Sequence, residues 1–141
     1  MRESLKTISE NANSNLDRSN LKFFGTTSIR ESWNIDVNPQ VGTLTNDDEI
    51  ATYVEFGTGL VGLGNQHPSA KTSGYNYNVP SASKNESGGW NFIVEYEGEI
   101  LHFNDFKGYE GKNFLYNACF EFAISGLIQR YYEIAFNKFI K

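Results

Sequence analysis

Several chemistries are excluded by what the chain lacks. Cys119 is the single cysteine among 141 residues, so neither a disulfide framework nor a cysteine-rich zinc site can be built. His67 and His102 are the only histidines, and no H-E-x-x-H or comparable ligand cluster accompanies them. No apolar run approaches the roughly 20 residues of a membrane span, and the opening Met1-Arg2-Glu3-Ser4-Leu5-Lys6 has no signal-peptide apolar stretch. Lys and Arg number 12 against 17 Asp and Glu, a net charge of -5, which argues against a free-standing nucleic-acid binder with a basic patch. The chain is nevertheless 15% aromatic, enough to build a core. The expectation is one soluble, intracellular domain spanning residues 1–141.

The charges are segregated. Residues 1–30 carry +2, residues 31–70 carry -6 with no basic group, residues 71–106 carry -3 and residues 107–141 carry +2. This fits either a solvated surface of uneven charge or an acidic face with a defined orientation in an assembly.

Leu5, Ile8, Ala12 and Leu16 fall at helical spacing, although Asn11, Asn13, Ser14 and Asn15 compete with the backbone and predict a short, frayed helix. Ile29, Trp33, Ile35 and Val37 share one face of a half-buried strand that closes at Asn38-Pro39, and 41–44 is placed to pair back on it. Asn46-Asp47-Asp48-Glu49 sets a cap and an acidic first turn ahead of a helix over 50–56 that Gly57 would end; a strand through 53–56 competes. Residues 57–88 are rich in Gly, Ser and Asn and read as a long variable loop.

Residues 90–96 and 99–103 read as a hairpin turning at Glu97-Gly98, with Tyr96 facing Glu99, Val94 facing Leu101 and Phe92 facing Phe103. A final helix opens at Asn113 and runs towards Lys141. Its polar positions recur every four residues from Asn117, so that stripe drifts by about 40° per step and the apolar side winds around the helix. Either the domain buries this helix completely or a second subunit covers part of it, with Leu127, Tyr131, Phe136 and Phe139 as the candidate interface. The fold class is α+β: an N-terminal helix, a small antiparallel sheet of about four strands including the 90–103 hairpin, and a long C-terminal helix.

No active site emerges. Gly57-Thr58-Gly59-Leu60-Val61-Gly62 matches G-x-G-x-x-G by letters, but Leu63-Gly64-Asn65-Gln66-His67-Pro68 does not open a helix and no acidic residue follows until Glu86. Cys119 sits among apolar residues and reads as a buried structural thiol. No catalytic residue, metal or cofactor is expected, and the chain does not read as an enzyme.

Two segments are more specific. Tyr53-Val54-Glu55-Phe56-Gly57-Thr58-Gly59 resembles the Y-V-E-F-G-T-G hallmark of the tail-completion, or head–tail joining, family of tailed bacteriophages. Gly111-Lys112-Asn113-Phe114-Leu115-Tyr116-Asn117-Ala118 is similar to that family's G-x-x-P-F-L-x-x-A, which opens the final helix. Thr26-Thr27-Ser28-Ile29-Arg30-Glu31-Ser32 resembles its T-G-x-L-R-x-S lead into the first strand, and Gly89-Trp90-Asn91-Phe92 its aromatic strand. Thr27 replaces the usual glycine, Asn113 the usual proline, and the segment before the first strand is short. Asparagine can cap the helix that proline would begin.

The resemblance implies a structural virion protein of the neck. It would form an oligomeric, typically hexameric ring that completes or caps the tail tube and joins it to the head connector, after assembly in the host cytoplasm. Its partners would be copies of itself, the tail-tube protein and the connector or stopper, with DNA passing non-specifically and no membrane involved. Tyr53 and Phe56 would anchor the glycine turn in the core. Glu55 would be an exposed acid or a buried acceptor paired with a base such as Arg30. Asp47, Asp48 and Glu49 would face the lumen and repel passing DNA. A head-closure stopper, a collar of a contractile particle, and a small ligand-binding module are the alternatives.

Overall fold

In the computed structural model, the asparagines of the first helix make tertiary bonds instead of fraying it. Helix α1 (Arg2–Arg18) buries Ser9, Ala12 and Leu16. The amide of Asn15 donates to the Phe114 carbonyl at 3.2 Å, and Asn13 accepts the Trp33 indole N–H at 2.8 Å. These bonds offset the low helix propensity of the run, so the helix is 17 residues long. The structure describes residues 1–19, 21, 26–77, 84–96, 98–126 and 130.

The chain divides into two compact units, one of 1–51 with 114–141 and one of 52–113. In the first, α1 packs on α6 (Phe114–Ile124), which buries Phe114, Ala118 and Phe122, an i, i+4, i+8 stripe. Trp33 meets Phe114 edge-on at 6.3 Å. The expected strand over 29–37 begins only at Trp33, because 26–31 forms helix α2 (Thr26–Glu31). Ile29 is fully buried on α2, and its carbonyl accepts the Asn46 amide at 2.7 Å. Arg30 pairs with Asp17. Strands β1 (Trp33–Val37) and β2 (Gly42–Asn46) are antiparallel, with Ile35 opposite Leu44. Their turn is held by Asn38, whose side-chain oxygen accepts the N–H groups of Gln40 and Val41.

Helix α6 ends at Ile124, where Gly126 turns with a left-handed φ of 69°; the rest of the expected course of that helix to Lys141, apart from Arg130, lies outside the described residues. Leu127, Tyr131, Phe136 and Phe139 lie outside the described residues. Cys119 is exposed on α6, not buried: the helix buries only its 114, 118 and 122 positions, and residue 119 faces away from them.

The second unit runs α3 (Ala51–Phe56), β3 (Gly57–Thr58), α4 (Gly59–Gly64), α5 (Ala70–Ser73), β4 (Trp90–Tyr96), β5 (Glu99–Phe106) and β6 (Gly108–Glu110). Within the expected loop over 57–88, residues 57–64 and 70–73 form strand and helix. Pairing of β4 with β5 follows the expected register, Tyr96 opposite Glu99 and Phe92 opposite Phe103, with an irregularity beyond Phe92 that sets Trp90 opposite Phe106. Phe92 and Phe103 stack at 4.7 Å, and Phe106 stands edge-on to both Trp90 and Phe92. In place of one sheet of about four strands, the described residues form three two-stranded antiparallel sheets, β1–β2, β3–β6 and β4–β5. The α+β class holds.

Phe114→Ala removes the largest fully buried side chain among the described residues and should cost about 3–5 kcal/mol in urea denaturation. Phe120→Ala, on the exposed side of the same helix, should stay within about 0.5 kcal/mol. Equal losses would show that α6 buries a different face.

Candidate functional site

The hallmark segment turns on glycine. Helix α3 ends after Phe56 because Gly57, at φ 81°, leaves the right-handed region. The chain then pairs antiparallel with β6, Gly57 opposite Glu110 and Thr58 opposite Tyr109, and continues as a bridge from Gly59 to Gly108. Contact is backbone to backbone. A Cβ at Gly108 would lie 1.9 Å from the Thr58 oxygen, and one at Gly111 2.5 Å from the Glu55 carbonyl oxygen. The amides of Lys112 and Asn113 donate to the Val54 and Glu55 carbonyls at 2.8 and 3.1 Å, satisfying acceptors that the end of α3 leaves open. The Val61 amide donates to the Lys107 carbonyl at 3.1 Å. Trp90 covers the clasp, its ring 2.8 Å from where a Gly59 Cβ would stand.

Under this clasp lies a buried carboxylate–imidazole couple. Glu55 and His67 are 6% and 5% exposed, with Glu55 Oε1 2.9 Å from His67 Nε2. His67 Nδ1 accepts the Ser69 amide at 3.0 Å, which assigns the ring proton to Nε2 and makes that atom the donor to Glu55. The His67 amide donates to the Tyr77 hydroxyl at 2.8 Å. Phe56 stacks on Tyr75 at 4.5 Å and tilts against His67 at 4.3 Å, and the Tyr75 hydroxyl donates to the Gly57 carbonyl at 2.7 Å. Both imidazole nitrogens are engaged and the ring is buried, so the geometry orients and locks rather than accepting a substrate proton.

Of the two open readings of Glu55, burial is the one observed. Its basic partner is His67, while Arg30 is paired with Asp17. Tyr53 is 51% exposed and does not anchor the core, because it lies on the outward side of α3 from Val54 and Glu55. Phe56 is the half-buried anchor. The structure thus assembles Glu55, Phe56, Gly57, Thr58, Gly59, Trp90 and Gly111 in one unit, while Phe114, Leu115 and Ala118 form the start of α6 in the other. Asn113 adopts a left-handed φ of 51°, a conformation closed to the proline expected by resemblance. It stands immediately before the first residue of α6.

His67, Tyr75 and Tyr77 were not among the expected site residues. Pro68 immediately after His67 and the Tyr75/Tyr77 alternation were their only signals. Asp48 accepts the Ile50 amide at 2.8 Å and the Ser28 hydroxyl, and Asp47 accepts the Asn34 amide at 2.5 Å, so both shape the start of α3; Glu49 is exposed. A six-residue helix, α4, lies within the glycine fingerprint itself, none opens over 63–68, and β3 is antiparallel and two residues long. That is no nucleotide-binding strand–turn–helix. No group of three or more potential metal ligands occurs among the described residues, and no helix among them is long and apolar enough to cross a membrane. No family model, curated protein or solved structure matches the chain.

Gly108→Ala should abolish cooperative unfolding of unit 52–113, read by near-ultraviolet circular dichroism; a native spectrum would disprove the close approach. His67→Ala leaves a buried carboxylate without its imidazole and should cost about 3–5 kcal/mol, whereas the double change Glu55→Leu, His67→Phe should recover most of it. Burial, with smaller contributions from Tyr53 and Tyr77, pushes the Tyr75 phenol up to about 12 from 10.0. Unfolded phenol ionises first, so the stability it provides is complete below 10 and is lost as pH rises towards 12. Tyr75→Phe should flatten that alkaline loss in denaturation midpoints, and an unchanged slope would assign it to other groups.

Proposed function

We propose that the chain is a structural protein of a tailed-phage neck, a ring component that completes or caps the tail tube and joins it to the head connector. The reading rests on the resemblance of residues 53–59 and 111–118 to the family hallmarks. The observation that carries it is the clasp, in which residues 53–59 and 108–113 meet backbone to backbone. A motif whose residues are spent on glycine close packing and a locked carboxylate–imidazole couple suits a part that must hold shape in an assembly. The exposed Glu31, Asp36, Asp47 and Glu49 suit a surface past which DNA slides without sticking.

Light scattering over a concentration series, with imaging by negative stain, tests the proposal. The expected result is a mass rising towards a closed ring with an axial hole, alone or seated on purified tail tubes. A strict monomer that also fails to bind tail tubes would overturn it.

A further inference from the structure

We infer that the open edge of β4 pairs antiparallel with β4 of a second copy, about a two-fold axis at Ile93. The inference is independent of the neck reading. The hairpin is a two-stranded sheet, and among the described residues β4 pairs only with β5. Such ribbons are marginal in water, and an open edge is a template for another strand. Two residues separate Tyr96 from Glu99, so those partners close the ladder as a hydrogen-bonded pair. By alternation the backbone groups of Phe92, Val94 and Tyr96 face β5, and those of Asn91, Ile93 and Glu95 face outward.

A two-fold at Ile93 sets Ile93 opposite its own copy and Asn91 opposite Glu95 on each side, every one of them in the outward hydrogen-bonding phase. Ile93 is 63% exposed, so the pairing buries an apolar side chain that the monomer leaves in water. No two charges meet, and each Glu95 carboxylate lies beside a neutral amide residue. The side-chain oxygen of Asn91 already accepts the Asp105 amide at 2.7 Å, which holds that residue extended at the edge. Beta5 does not offer the same surface. Its run is broken at Asp105, which has a left-handed φ of 52° and is ion-paired with Lys107, and a two-fold at its centre sets His102, not an aliphatic side chain, on the axis. The second copy is therefore selected by backbone phase and apolar burial, and β4 is the edge it takes. An isologous contact closes at two, so it is distinct from the head-to-tail contact that a ring needs.

The test uses the full chain. Wild type should give a dimer mass, or an even multiple of the protomer. Ile93→Lys, which opposes two ammonium groups at the axis, should halve that mass with an unchanged circular dichroism spectrum. Ile93→Pro should do the same, because it removes an outward N–H and leaves the ladder to β5 intact. In a Cys119→Ser background, Ile93→Cys should oxidise in air to a disulfide-linked pair, since two-fold partners sit within disulfide reach. Ile100→Cys, an equally exposed position on β5, should not. A monomeric wild type, an unchanged mass for folded Ile93→Lys, or equal cross-linking from position 100 would overturn the pairing.

Discussion

The constraint on which the second unit depends is the absence of side chains where residues 57–59 cross residues 108–111. Gly108 approaches the Thr58 carbonyl too closely for any Cβ, and its φ of 94° lies outside the range that side-chain-bearing residues favour. Close approach sets the pairing of β3 with β6, and that pairing delivers the amides of Lys112 and Asn113 to the end of α3. The end of α3 in turn aims Glu55 inward and Phe56 against Tyr75. Backbone complementarity comes first, and the buried polar couple is its consequence.

A buried carboxylate beside an imidazole is weak evidence of stability. Removing both groups from water costs several kcal/mol, which their attraction offsets only with good geometry and further hydrogen bonds. Here those bonds exist: Nε2 to Glu55, Nδ1 from the Ser69 amide, and the His67 amide to the Tyr77 hydroxyl. The couple thereby ties the segment around 67–69 and Tyr77 to α3 in one orientation, a specificity that a greasy contact of equal area would not impose. Both ring nitrogens are thereby occupied within the fold.

Legibility in the sequence tracked how local each signal was. The β4–β5 register followed from two-residue alternation and a glycine turn, both readable within fifteen residues. Ile29 misled because Ile29 and Trp33 are four apart, which fits one face of a helix as well as of a strand. The asparagines of α1 look like breakers until their tertiary acceptors and donors at Trp33 and Phe114 are known. The couple of Glu55 with His67 was out of reach, because no periodicity relates a helical carboxylate to a histidine twelve residues on in a glycine-rich stretch. Tyr53 and Cys119 erred in the same way: membership of an apolar run does not say which face is buried.

Amide hydrogen exchange tests the clasp most directly. If it is the structural keystone of unit 52–113, the amides of Val61, Lys112 and Asn113 exchange only when the whole unit opens, at one common slow rate. Fast exchange at Lys112 and Asn113 while the ladder amides of Phe92 and Leu101 stay protected would contradict the account, because the hairpin would then stand without the clasp.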